Sequence, residues 1–285
     1  MTKNKKVAII TGAGRGIGRQ IAIEFGKRKF DLVIISRTKK ELKETRKLIG
    51  GETQVTVLSL DVRDNSSIQK KLIPLIKKTS GVDVLINAAG IQGPIGPLVD
   101  NPPLDWQKTI DINLKGTVNC MQAVIPKMIR QEFGSIINFS GGGAFGPREN
   151  FSAYAVAKAG VVRLTEVVAK ELEKYNIRVN IISPGGVNTA MFEEMIRAGK
   201  NKVGGEEWTK LIQQRKTGGN NPVKAAKLCL WLVSDKSRPL TGKAFSAVYD
   251  DWQNWSKKKI IDISKSDWYT MRRLDQYTVN NLIKK

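Results

Sequence analysis

A chain of 285 residues, 41% of them hydrophobic, is long enough to bury one large core, and no Pro/Ser-rich linker, low-complexity tract or internal repeat divides it. Its 48 Lys and Arg against 26 Asp and Glu give a formal net charge of +22, a field that favours anionic ligands; the lysines are scattered and no nucleic-acid motif accompanies them, so a solvated basic surface is expected rather than a nucleic-acid partner. With no histidine, His-based catalysis and His metal ligands are excluded, no metal site is expected, and proton transfer falls to Tyr, Lys, Ser or a carboxylate.

The start, Met1-Thr2-Lys3-Asn4-Lys5-Lys6, is basic, but the apolar run behind it stops at Thr11-Gly12, too short for a secretory signal. No stretch is apolar enough to span a bilayer, so a cytoplasmic chain without a membrane partner is expected. The run 7–10 reads as a buried strand, and Thr11-Gly12-Ala13-Gly14-Arg15-Gly16-Ile17-Gly18 follows it as a glycine-rich turn into an amphipathic helical pattern over 20–29. Strand, glycine turn and helix in that order aim unpaired backbone N–H groups and a positive helix end at a dinucleotide phosphate. The spacing is G-x-x-x-G-x-G, not the more general G-x-G-x-x-G.

Further strand-length apolar runs at 32–35, 55–60, 84–86, 135–139 and 179–182 alternate with helical patterns at 39–49, 67–78, 106–130 and 153–174. Near-continuous apolar strands alternating with helices predict an α/β fold, a doubly wound parallel sheet with helices on both faces. Ligands of such a sheet sit at the carboxyl ends of its strands, so the residues just after each run carry the interest.

After the second run come Ser36 and Arg37, where an NAD site usually places an acidic side chain. Arg37, together with Arg15 of the glycine loop, favours a ribose 2′-phosphate and hence NADP(H) over NAD(H); the alternative is that both arginines are merely solvated. Asp61 and Val62 follow the third run, where Asp61 either receives an adenine amino group or caps the helix that begins near Ser66. After the fourth run stands Asn87-Ala88-Ala89-Gly90, small enough for close approach of a ligand, or simply a tight loop.

Asn113 interrupts the 106–130 pattern as a poor helix former, a local conflict of the kind found at functional sites. Cys120 and Cys229 lie in apolar surroundings and suit small buried hydrophobes. Ser140 ends the fifth run, where its hydroxyl can meet a substrate oxygen beside Tyr154. Tyr154 and Lys158 are four residues apart and share one helix face, so the ammonium is expected to lower the phenol from its usual pKa of about 10 and make it a usable acid or base. Singly, each has a plain structural reading; jointly they point to chemistry.

These pieces, Thr11-Gly12-x-x-x-Gly16-x-Gly18, Asn87 to Gly90, Asn113, the Ser140 region, Tyr154-x-x-x-Lys158, and Pro184-Gly185 with Thr189, resemble the short-chain dehydrogenase/reductase family over about residues 6–243. The resemblance implies a Rossmann-type sheet of seven strands with NAD(P)H across its carboxyl edge and hydride transfer between nicotinamide and a carbonyl or alcohol carbon of a small molecule. It implies that Tyr154 exchanges the proton, Lys158 tunes it and holds the ribose hydroxyls, Ser140 steadies the carbonyl and Asn113 holds a water leading to solvent. Gly12, Arg15, Gly16, Ile17 and Gly18 would hold the diphosphate end, and Pro184, Gly185, Val187 and Thr189 would line the nicotinamide. Ketone or 3-oxoacyl carrier-protein reduction is the activity implied, on a substrate that the positive surface would allow to be anionic, in a homodimer or homotetramer. A sugar-nucleotide or polysaccharide-precursor ketoreductase or epimerase, and a non-catalytic NADP(H)-binding protein, are the alternatives.

Two departures stand out. The family's serine lies thirteen residues before the tyrosine, which here is Gly141, and Ser140 lies one further back beside the flexible Gly141-Gly142-Gly143 run. One domain is expected over 1–248, with a substrate lid near 190–220, followed by an extension over 249–285 carrying Trp255, Trp268, Tyr269, Arg272 and Arg273. That extension either closes over substrate, binds a partner subunit, or docks as a helix burying Trp252 and Trp268.

Overall fold

Seven strands, β1 (Val7–Thr11), β2 (Asp31–Ser36), β3 (Val55–Ser59), β4 (Val84–Asn87), β5 (Gly134–Phe139), β6 (Ile177–Ser183) and β7 (Ala244–Ser246), form one sheet in a computed structural model that describes residues 5–51 and 53–273. The basic start at 1–4 and the end of the extension at 274–285 lie outside the described residues. The order is β3-β2-β1-β4-β5-β6-β7 with every pair parallel, so the strand order reverses between β1 and β4, where Thr11 lies level with Asn87. A crevice at the carboxyl edge is the geometric consequence of that reversal.

Helices α1 (Gly16–Lys27) and α2 (Lys39–Ile49) follow the first two strands; α3 (Asn65–Ser67) and α4 (Ile73–Lys78) flank a π-helical turn, and α5 (Pro103–Ile110) and α6 (Gly116–Gln131) flank another at Asp111–Lys115. After these come α7 (Ser152–Leu172), α8 (Ala190–Val203), α9 (Gly205–Thr217), α10 (Pro222–Leu232) and α11 (Lys257–Lys265). The helix expected over 106–130 is present and runs without interruption, but it passes through a π bulge at Asp111–Lys115 that holds Asn113; such bulges gather at functional sites.

Alternate strand residues feed two cores, which explains why the strands read as continuously apolar. Ala8, Ile10, Leu32 and Ile34 meet Ile21 and Phe25 of α1 and Leu228 and Leu232 of α10 on one face. Ile9, Val33 and Leu85 meet Leu72, Val124, Met128 and Leu172 on the other. Each such side chain contributes about 1.5–3 kcal/mol when fully buried. Cys120 and Cys229 are buried free thiols in these cores.

The described part of the extension packs on the first core through Trp252, Ile260 and Ile263. Trp231, Trp252, Trp255, Phe245 and Tyr269 interlock with ring centroids 5.2–5.8 Å apart. Trp252 is buried as a docked helix would require, but Trp268 is 49% exposed, with Lys259 Nζ 4.3 Å above its ring. Among the described residues no helix is long and apolar enough to cross a membrane.

Candidate active site

The carboxyl ends of all seven strands open into one cleft of about 1250 Å³. At its β1 end Gly12 has φ +67°, and a Cβ there would stand 2.7 Å from the Ala88 carbonyl oxygen and the Ala89 nitrogen, so only glycine lets the first turn lie against the loop after β4. The helix begins at Gly16, four residues earlier than the periodicity suggests, and no side chain caps its N-terminus. Free N–H groups of Gly16, Ile17 and Gly18 at a positive helix end make a cradle that fits a diphosphate.

Arg15, Ser36 and Arg37 all line this end of the cleft. So does Glu41, which the sequence reading passed over: a Cβ on Gly14 would lie 2.7 Å from Ser36 Oγ and 2.9 Å from Glu41 Oε2, so carboxylate and hydroxyl converge on the glycine loop. The signal was available, because Glu41 is the first acidic residue after β2.

Asp61 and Val62 line the cleft after β3. Arg63 donates to Asp61 from Nη2 at 2.7 Å and from Nε at 3.1 Å, and these hydrogen bonds hold the Asp61 carboxyl below its ordinary value. The helix cap is Asp64, which accepts from the Ser67 N–H at 3.0 Å, so Asp61 does not cap it.

Ala88, Ala89 and Gly90 line the cleft, but Asn87 lies behind it, donating from Nδ2 to Asn138 Oδ1 at 2.9 Å. Asn113 is also withdrawn. Fully buried in its π turn, it accepts from the Ile91 N–H at 3.1 Å and donates to the Ile91 carbonyl at 2.9 Å, so its amide clamps the loop after β4 and does not face the cleft. Pro184, Gly185, Val187 and Thr189 line the opposite wall after β6.

Tyr154 and Lys158 project from the start of α7 into the cleft, 7% and 5% exposed. Lys158 Nζ donates to the Phe139 carbonyl at 3.0 Å and lies 5.6 Å from the centroid of the Tyr154 ring. Burial pulls the Lys158 amine down to about 8 and pushes the Tyr154 phenol above its ordinary value, with the Arg148 cation opposing the latter. The lowered phenol expected from the i, i+4 pair does not emerge: burial outweighs the opposing cation, and that cation is Arg148, not Lys158.

Ser140 lines the cleft at 2% exposure, and its hydroxyl has no hydrogen-bond partner. Gly141, at the family's serine position, has its Cα packed against the Tyr154 hydroxyl, where a Cβ would overlap it. Residues 190–220 form α8 and α9 around a small core of Phe151, Phe192, Met195, Val203 and Leu211. Arg148, unremarked in the sequence, ties them down: its Nε donates to Glu207 Oε1 at 3.0 Å, and its guanidinium lies 3.8 Å over the Phe151 ring.

A model of the short chain dehydrogenase family matches residues 6–199. The 3-oxoacyl-[acyl-carrier-protein] reductase FabG of Thermotoga maritima is 34% identical over 242 residues, covering 84% of this chain and 94% of its own. Oxidoreductase UcpA of Salmonella typhimurium is 36% identical over 245 residues, covering 83% and 90%. Among solved structures, NAD+-bound xylitol dehydrogenase superposes with a TM-score of 0.77 at 26% identity, over 86% of this chain and 98% of that one.

Proposed function

The chain belongs to the short-chain dehydrogenase/reductase family, oxidoreductases that act on CH–OH and C=O groups of small molecules with a nicotinamide cofactor, and within that activity we propose an NADPH-dependent reductase of a ketone or 3-oxoacyl substrate. The observation that carries the direction is the Tyr154 hydroxyl, buried at the cleft with its pKa raised by that burial. At neutral pH it is a phenol, and a phenol donates a proton to a developing alkoxide; oxidation of an alcohol would need the phenolate.

When bound, the nicotinamide supplies the hydride. The chain's own residues do the rest: Tyr154 protonates the carbonyl oxygen, Lys158 offsets negative charge on the phenol oxygen as the proton leaves, and Ser140 donates from its unpartnered hydroxyl to the same carbonyl. Asn113 is a positioning residue acting through Ile91. Pro184, Gly185, Val187 and Thr189 hold the nicotinamide end, and Gly12, Gly16, Ile17 and Gly18 the diphosphate.

Arg15 and Arg37 support NADP(H), since a guanidinium fork matches a 2′-phosphate. Glu41 beside Ser36 favours NAD(H) as the second reading, because a carboxylate there suits ribose hydroxyls and repels a phosphate. Comparing kcat/KM for NADPH and NADH decides between them.

Exposed Leu98, Val99, Leu104, Val156 and Val167 lie on α5, α7 and the turn before α5, which are joined by the Trp106 to Ser152 hydrogen bond of 3.1 Å; this face supports a homodimer or homotetramer. Two free thiols suit a reducing compartment such as the cytoplasm. NADPH consumption with acetoacetyl thioesters and keto-sugars tests the activity. Turnover of a ketone supports the reading, and absence of turnover with every carbonyl overturns it.

A further inference from the structure

Among the described residues, two side chains that line the cleft keep a buried polar atom without a hydrogen-bond partner: Ser140 and Gln92. Ser140 has a place in the reaction above. Gln92 has none.

Gln92 follows directly on Ile91, the residue whose N–H and carbonyl are both gripped by Asn113, so the backbone that presents it is held firmly. Its side chain is 1% exposed, and Nε2 finds no acceptor in the chain. The site is close by: two residues earlier, a Cβ on Gly90 would lie 3.8 Å from Lys158 Nζ. A buried amide donor without an acceptor is unfavourable, and buried donors in folded proteins are nearly always satisfied. The missing acceptor is therefore one that a ligand brings.

Tyr154 and Ser140 already fill the two acceptor positions of the reacting carbonyl oxygen in the reading above, which leaves Gln92, entering the same cleft from the loop after β4, to a different substrate atom. Charge narrows that atom's chemistry. Glu149, Glu193, Glu194, Glu206 and Glu207 line the substrate side against Arg148, which is paired with Glu207, and Lys210, an excess of negative charge that disfavours a carboxylate or phosphate there.

We propose that Gln92 is a specificity-determining residue that donates a hydrogen bond to a second, uncharged oxygen of the substrate, so that the enzyme takes oxygenated ketones, such as hydroxyketones or 3-oxo esters and thioesters, in preference to plain ones. The assignment rests on the reductase reading above and gives that reading its substrate class.

The probes are two pairs that differ in a neutral oxygen function: cyclohexanone with 2-hydroxycyclohexanone, and 2-pentanone with ethyl acetoacetate. Affinity is read from ligand-dependent thermal shifts of the full chain with NADPH or NADP+, and turnover from NADPH consumption. The wild type is expected to bind the oxygenated member of at least one pair about tenfold more tightly. Gln92→Met, with Gln92→Leu as a second variant of similar size, is expected to erase that advantage and leave the plain ketone's affinity unchanged. The melting temperature of the free variant should stay level or rise, because an unpartnered donor has been removed; a purely structural glutamine would lower it. Equal affinity within both pairs, a preference that survives in both variants, or equal weakening of both members with a lower melting temperature overturns the assignment. An affinity difference without any turnover sinks the reductase reading and leaves Gln92 standing; turnover without an affinity difference does the reverse.

Discussion

The hydroxyl of Tyr154 rests against the Cα of Gly141, so close that a Cβ at position 141 would occupy the same space. Restoring the family's serine spacing by Gly141→Ser is therefore expected to damage the enzyme. Displacement of the phenol by about 1 Å predicts a fall in kcat of roughly 100-fold. Ser140→Ala should also lower kcat, by about 100- to 1,000-fold as for a lost donor to a developing oxyanion, without destabilising the free protein, since its hydroxyl has no partner to lose. Steady-state kinetics on both variants check this; a fully active Gly141→Ser enzyme would falsify the geometry.

The pH profile follows from Lys158. Burial holds its pKa at about 8 against an ordinary 10.5, while Tyr154 is raised and stays protonated. Reduction should hold a plateau below about pH 8 and decline above it as the ammonium is lost. Stability runs the other way. Between those two values the unfolded chain binds more protons than the folded one, so the penalty of burying the ammonium is full below pH 8 and is relieved as pH rises. Lys158→Met should lose both the decline in rate and this rise in stability, as paired kinetic and thermal-melt profiles would reveal.

Arg148 joins two duties, holding α9 through Glu207 and opposing the rise of the Tyr154 pKa. Glu207→Gln keeps the cation and loosens the latch, because it leaves a largely buried guanidinium without its counter-charge, so KM should rise several-fold with the rate of the proton step intact. Arg148→Gln removes both and lets the phenol pKa climb further. Alcohol oxidation, which needs the phenolate, should then suffer more than ketone reduction. Equal losses in the two directions would show that Arg148 acts on the lid alone.

Cofactor choice is a contest between Arg37, just after β2, and Glu41, in the first turn of α2. Arg37→Glu should weaken NADPH by about 10- to 100-fold, the range for a charge-assisted hydrogen bond, with little effect on NADH. Glu41→Gln should weaken NADH and, by removing a negative charge beside the 2′-phosphate, leave NADPH unchanged or tighter. If NADPH kinetics do not respond to Arg37→Glu, the 2′-phosphate assignment is wrong.

Much of the fold was legible because its strands are buried on both faces, and runs such as Val7 to Ile10 and Leu32 to Ile35 have no polar interruption. β7, with three residues and only Phe245 buried among them, left too little pattern to stand alone. The helix over 106–130 was seen without its π bulge, since such a turn shifts the apolar stripe by one residue and keeps it recognisable; Asn113 betrayed the place by being a poor helix former.

In the site, the glycine turn and the Tyr154–Lys158 pair were readable because local spacing sets them. Gln92 and the Arg148–Glu207 latch were not, because each depends on elements that meet only in the folded chain and each reads locally as an ordinary solvated polar residue, whereas Glu41 was legible from its place after β2. The direction of the Tyr154 pKa was misjudged for the same reason: i, i+4 spacing reports a neighbouring charge but is silent about the depth of burial.

The most direct test of Tyr154 as proton donor compares NADPH-dependent ketone reduction by the wild type and by Tyr154→Phe, with NADPH affinity measured in parallel. The phenylalanine keeps the ring in place and removes only the hydroxyl that carries the proton. The account predicts a loss of kcat of about 100- to 10,000-fold with NADPH affinity unchanged. A Tyr154→Phe enzyme that turns over at the wild-type rate would contradict it.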